Sequence, residues 1–149
     1  MREIKFRGKR LDNGEWIYGD LLENQGRNFI YHATSENTIE DNDDGRIVVV
    51  AVEVDYHTVG QYTGLKDKNG QKIYESDIIE CIASDNKPIR HIVRYVEDKG
   101  GYHQFMITGG GVDCDPWDAG IITQQYIGKW KYVIGNVFDN PELLKGCEQ

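Results

Sequence analysis

The chain is poor in the residues that most often announce chemistry. It has three cysteines, Cys81, Cys114 and Cys147, an odd number spread widely along 149 residues. No CxxC pair or zinc-ligand spacing exists, so neither a disulfide framework nor a zinc module is expected, and a reducing cytoplasm is the default compartment. The three serines, Ser35, Ser76 and Ser84, all stand in turn-like settings. There is no GxSxG elbow and no HExxH, which argues against a serine hydrolase or a zincin. No GxxxxGK[ST] or GxGxxG is present, and Gly109-Gly110-Gly111 runs into Val and Asp instead of a helix, so phosphate cradling has no support. The longest apolar run, Ile47 to Val52, is far too short to span a bilayer, and MREIKFRGK lacks the apolar stretch of a secretory leader. Basic charge is scarce too: 17 Lys and Arg face 25 Asp and Glu, a formal charge of −8. General affinity for nucleic acid, which needs clustered cations, is therefore disfavoured. Only Arg2, Lys5, Arg7, Lys9 and Arg10 form a basic cluster, and the plainest reading of them is a charged edge strand.

Aromatics, by contrast, are plentiful: nine Tyr, three Trp and four Phe. Beside many β-branched residues they favour strands. Ile4 and Phe6 alternate with cations, Asp12-Asn13-Gly14 supplies a turn, and Trp16-Ile17-Tyr18 resumes the apolar pattern. A second turn at Asn24-Gln25-Gly26 leads to Asn28–His32, giving a three-stranded meander. Ser35 to Arg46 is polar and acidic without an apolar period and reads as an exposed loop, whereas Ile47–Val54 reads as a strand covered on both faces. Further on, Lys66-Asp67-Lys68-Asn69-Gly70 is a strong tight-turn signal. Short strands follow at Ile78–Cys81, Ile89–Val96 and Tyr102–Thr108, a spacing that suits a small barrel or sandwich. Gly109 to Gly120 reads as flexible and Trp130–Val137 as a last strand. Asn140-Pro141-Glu142-Leu143-Leu144 is the one good helix start.

Three blocks in order, MREIKFRGK, TVGQYTGLKDKNGQKIYESDII and VIGNVFDNPELL, resemble the YopX-like family of bacteriophage and prophage proteins across essentially the whole chain. The resemblance implies a β-rich fold with an SH3-like barrel in its C-terminal part; joined to the turn and helix signals above, it gives a mostly β chain with an N-terminal β-meander over 1–57, an SH3-like small barrel over 58–149, the two standing apart or as one compact unit, and one short C-terminal helix. It implies no established activity, and it carries no catalytic residue over. Ser76 departs from the pattern, standing where such proteins commonly have Gly before Asp-Ile. If the site needs positive φ, serine costs about 1 kcal/mol there.

Neither acidic cluster follows calcium-loop spacing. From Asp41, Gly45 comes one place early and Val52 stands where a bidentate Glu belongs; from Asp113, Trp117 and Gln124 occupy the fifth and twelfth positions. His91, His103 and Cys81 fall on successive expected strands, but alternation of faces without a register makes packed histidines the simpler reading. No cofactor and no metal are expected. The informative stretch is Asp113, Asp115, Trp117 and Asp118, where an indole sits among glycines and acids. Two readings of Trp117 stay open there, a buried core side chain or an interface anchor.

The leading functional expectation is a non-enzymatic phage accessory protein of the host cytoplasm that binds a macromolecule, a protein partner or a second copy of itself, with Asp113, Asp115, Trp117 and Asp118 as candidate interaction loop. An acidic DNA mimic or decoy of a host nucleic-acid-binding protein is the alternative, and an enzyme of unknown type the third.

Overall fold

The computed structural model describes residues 2–32, 40–41, 47–48, 51–107 and 117–145. The chain divides into two compact units, Met1–Tyr62 and Thr63–Gln149, with the boundary inside one long strand, where the sequence reading put it at 57/58.

The first unit opens with β1 (Phe6–Arg10), β2 (Trp16–Asn24) and β3 (Arg27–Tyr31). Gln25 and Gly26 both take positive φ, 52° and 77°, and Asn24 faces Arg27 across them. This is the two-residue turn whose twist matches a hairpin. Two short strands, β4 (Glu40–Asp41) and β5 (Ile47–Val48), pair with each other, and β6 (Val52–Lys66) then runs antiparallel to both β3 and β1. The apolar run expected as one strand from Ile47 to Val54 is thus divided between β5 and β6.

Because β6 touches both ends of the meander, β1, β2, β3 and β6 form a barrel-like ring, closed unevenly by a register shift between Arg7 and Lys9. Thr58 fills the shift: its Oγ1 accepts from Lys9 N–H at 2.8 Å and donates to Asp55 O at 2.7 Å. The basic β1 is therefore not the edge strand expected from its charge. It lies between β2 and β6, and its cations are accommodated by an aromatic ring: Arg7 and Lys9 lie 4.6 Å and 5.4 Å from the Trp16 centroid. A guanidinium loses less on burial than an ammonium and gains from the ring's negative face, which is how Arg7 comes to be buried.

The second unit continues from the end of β6 with β7 (Lys72–Tyr74), β8 (Asp77–Ile82), β9 (Pro88–Val96), β10 (Gly101–Ile107), β11 (Trp117–Ile121), helix α1 (Gln124–Trp130), β12 (Tyr132–Asn136) and a 3-10 turn at Pro141–Lys145. Its antiparallel sheet has the order β11-β10-β9-β8-β12. Among the described residues the molecule is thus mostly β with one short helix, as expected; its strands form two five-stranded antiparallel sheets and the pair β4–β5, and the barrel-like ring lies in the first unit, whereas the resemblance places its barrel over 58–149. The helix, however, is not where its strongest sequence signal lay: Asn140–Leu144 makes only a 3-10 turn, and α1 sits earlier. Ile73, Ile79, Val93, Tyr102, Ile122 and Ile127 form the core under α1, with Leu65 and Val133 packed against it. Each fully buried isoleucine contributes about 1.5–3 kcal/mol.

Two tight turns of the second unit are organised by buried aspartates. Asp67 Oδ1 accepts the N–H groups of Asn69 and Gln71, both at 2.8 Å, while its Oδ2 accepts Val133 N–H at 2.9 Å. Asp77 Oδ2 accepts Tyr74 N–H at 2.8 Å. Between Tyr74 and Asp77, Ser76 takes φ 70°, the conformation that its place in the family pattern suggested.

Candidate functional site

Helix α1 is short and has no side-chain N-cap, since Thr123 makes no capping hydrogen bond. Tertiary contacts hold it instead. Ile127 is completely buried in the core. Gln124 grips the backbone at the end of β6, accepting Lys66 N–H and donating to Lys66 O, both at 2.8 Å. Gly128 makes this possible: a Cβ there would meet Gln124 Nε2 at 2.6 Å. On the opposite side, Tyr126 and Trp130 stand one turn apart on one face. They are 45% and 54% exposed, and Lys129 Nζ lies 5.0 Å from the Trp130 ring. Ile121, just before the helix, is 59% exposed.

Beneath the helix end lies a buried polar cluster. Lys131, 1% exposed, donates through Nζ to His91 Nδ1 at 2.8 Å and to Gln104 Oε1 at 2.7 Å, and the same Nζ lies 5.5 Å from the Tyr126 ring centroid. Among the described residues no carboxylate reaches it within ion-pair distance. Since Nδ1 accepts, the His91 ring proton is assigned to Nε2. Burial, reinforced by the ammonium of Lys131, pushes His91 down to about 4 from 6.5. Burial likewise brings Lys131 down to about 8, opposed by Cys81. The pair at neutral pH is one cation held by two neutral acceptors.

The register keeps the two histidines on adjacent strands from sharing a site. His91 lies opposite Ile79 and Met106, and His103 lies opposite Arg94 and Ile121. Directly opposed residues share a face and successive residues alternate, so His91 and Gln104 point to one side of the sheet and His103 to the other. Cys81, opposite Ile89, shares the His91 side and is an unpaired thiol. Among the described residues, no three His, Cys, Asp or Glu side chains group closely enough to hold a metal ion.

Of the sequence's candidate interaction residues, Asp113 and Asp115 lie outside the described residues, as do Cys114 and Cys147. Trp117 begins β11 opposite Met106. Asp118 is tied down: it accepts from Lys99 Nζ at 2.7 Å, from Gly120 N–H at 2.9 Å and from His103 Nδ1 at 2.9 Å. Lys99, then the Gly120 amide, then His103 hold its carboxyl well below the usual carboxylate range. Sequence reasoning missed α1 and Lys131, having taken Trp130–Val137 as a strand. Tyr126, Ile127 and Trp130 do follow helical spacing, but Gly128 and the aromatics weaken that signal.

An antiparallel ring joined in sequence to a five-stranded sheet with one short covering helix defines a mostly β fold class. The model of the family described as YopX protein matches residues 5–145, and the chain belongs to that family. A crystal structure of protein EF1440 from Enterococcus faecalis has the same fold, with TM-score 0.61 and 22% identity over 97% of this chain and 99% of that one. Among curated proteins none matches. Among the described residues, no helix is long and apolar enough to cross a membrane.

Proposed function

We propose that this chain is a non-enzymatic binding module, a phage or prophage accessory protein of the host bacterial cytoplasm, that engages a protein partner through the aromatic face of α1. The observation that carries the reading is the pair Tyr126 and Trp130, about half exposed while the helix beneath them is held by Ile127 and Gln124. Aromatics presented on an already ordered element lose little entropy on binding and are the commonest interface anchors. The segment carrying Asp113, Asp115, Trp117 and Asp118 is proposed as a second contact for the same partner, with Asp118 serving to fix its end through Lys99 and His103. Phage origin rests on the family resemblance, and the cytoplasmic setting on the odd number and wide spacing of the cysteines.

The DNA-decoy alternative needs a continuous acidic stripe. The pairs Arg10–Asp12, Arg27–Glu53, Lys87–Asp85, Arg90–Glu80 and Lys99–Asp118 interleave the two signs of charge and weigh against it. The test is quantitative capture from host bacterial extract with wild type and a Tyr126→Ala/Trp130→Ala variant. The variant is expected to melt within a few degrees of wild type and to bind its partner at least about tenfold more weakly. Equal recovery of the same partner by both proteins would end this reading. Light scattering on the pure proteins separates a second copy of the chain from a foreign partner.

A further inference from the structure

The Lys131 cluster occupies a mechanically important place. Lys131 directly follows α1, its N–H closes the last helical turn on Ile127 O at 3.0 Å, and its carbonyl accepts Lys68 N–H at 2.8 Å. Its side chain then runs to His91 on β9 and Gln104 on β10, the central strand and one of its neighbours in the sheet that α1 covers. The end of the helix is thus pinned to the sheet by two hydrogen bonds from one ammonium. One of the two acceptors, His91 Nδ1, is an atom that acid converts into a donor. Among the described residues, the titratable groups that face the amine from other elements are Cys81 on β8 and Tyr126 on α1, neither of which supplies a compensating carboxylate.

We infer that the contact of Lys131 with His91 and Gln104 is an acid-sensitive latch that holds α1 on the second unit's sheet and releases it when His91 takes a proton. Protonation removes the acceptor and places a second cation 2.8 Å from the first, in a site that screens charge poorly. The sign follows from the depressed value. His91 is neutral in the latched form down to about pH 4, whereas once released it titrates near 6.5. The released form therefore binds more protons between those values, and the latched form loses stability as pH falls from 6.5 toward 4. Above pH 6.5 the ring is neutral in both forms and His91 confers no pH dependence. Lys131, down at about 8, stays charged throughout the acid window. Because α1 carries Tyr126 and Trp130, release would also displace the aromatic pair; that consequence rests on the binding reading, but the latch does not.

Hydrogen exchange of the α1 amides, Gln124–Trp130, at pH 7 and pH 5 and corrected for intrinsic exchange, tests the latch without any partner. In wild type, protection is expected to fall about tenfold or more between the two pH values, while peptides from β1 and β2 keep theirs. His91→Gln, neutral at both pH values and still able to accept, is expected to abolish the fall. Lys131→Met, which removes the neighbouring cation but leaves His91 buried, is expected to lessen the fall without abolishing it and serves if the glutamine variant does not fold. No fall in wild type, or the same fall in the variants, would overturn the latch while leaving the capture experiment on Tyr126 and Trp130 untouched.

Discussion

Asp67 and Lys131 carry opposite charges and are both buried in the second unit, yet each is satisfied without an ion pair among the described residues. Two hydrogen bonds tie their segments together, Lys68 N–H to Lys131 O and Val133 N–H to Asp67 Oδ2. Desolvating an unpaired charge costs several kcal/mol, so both sites need compensating dipoles. Asp67 finds two of its three donors in its own turn, at Asn69 and Gln71. Lys131 finds both acceptors on strands distant in sequence. One charge is thus compensated largely by the act of making a turn and the other only by completed tertiary structure. The first is expected to organise the loop whatever the core does, and the second to report on the core.

The comparison is broken most forcefully at Asp67. Asp67→Ala leaves three backbone N–H groups without their acceptor and is expected to cost about 3–5 kcal/mol, read as a shift in the urea midpoint. Asp67→Asn, which keeps one acceptor oxygen, should cost only about 1–2 kcal/mol. A loss below about 1 kcal/mol for the alanine variant would mean that the turn is held by something other than the carboxylate.

A smaller effect separates conformation from hydrogen bonding in the same turn. Gly70 has φ 81° and nothing within 4 Å of a Cβ added there. Gly70→Val therefore meets no clash, and its expected cost of about 1–2 kcal/mol comes from the left-handed backbone alone. An unchanged midpoint would show that the turn relaxes without cost.

The smallest effect has the opposite sign. Ser76 holds φ 70° while its N–H donates to Val93 O at 2.8 Å and its carbonyl accepts Val137 N–H at 3.0 Å. Ser76→Gly relieves the strain but frees the unfolded chain, leaving a net gain of about 0.5 kcal/mol. A lowered melting temperature would mean that the hydroxyl contributes more than the backbone strain costs.

Much of this was legible in the residues themselves. The turns at Asn13-Gly14, Gln25-Gly26 and Asn69-Gly70 follow from glycines placed where positive φ is needed, whereas the departure at Ser76 was visible only against the family pattern, which commonly has Gly there. Short runs of β-branched and aromatic residues between turn signals marked β8, β9 and β10 closely, although Asp77 to Ile79 and His91 to Val93 are each buried in succession and show no period of two. Strand pairing was not legible. Nothing in the charge of β1 shows that β6 returns to cover it, and nothing in Ile47–Val54 shows where the run divides.

The site follows the same division. Local chemistry written in a few adjacent residues, such as the Asp67 turn or the helical spacing of Tyr126, Ile127 and Trp130, belongs to the sequence. Lys131 reads there as one more cation near a strand, since its partners His91 and Gln104 lie 40 and 27 positions away. Only the register of β9 against β10 puts His91 and Gln104 on the side of Lys131 and sends His103 to Asp118 on the other. A shift of one residue would exchange those faces, and that register is set by burial of the whole sheet.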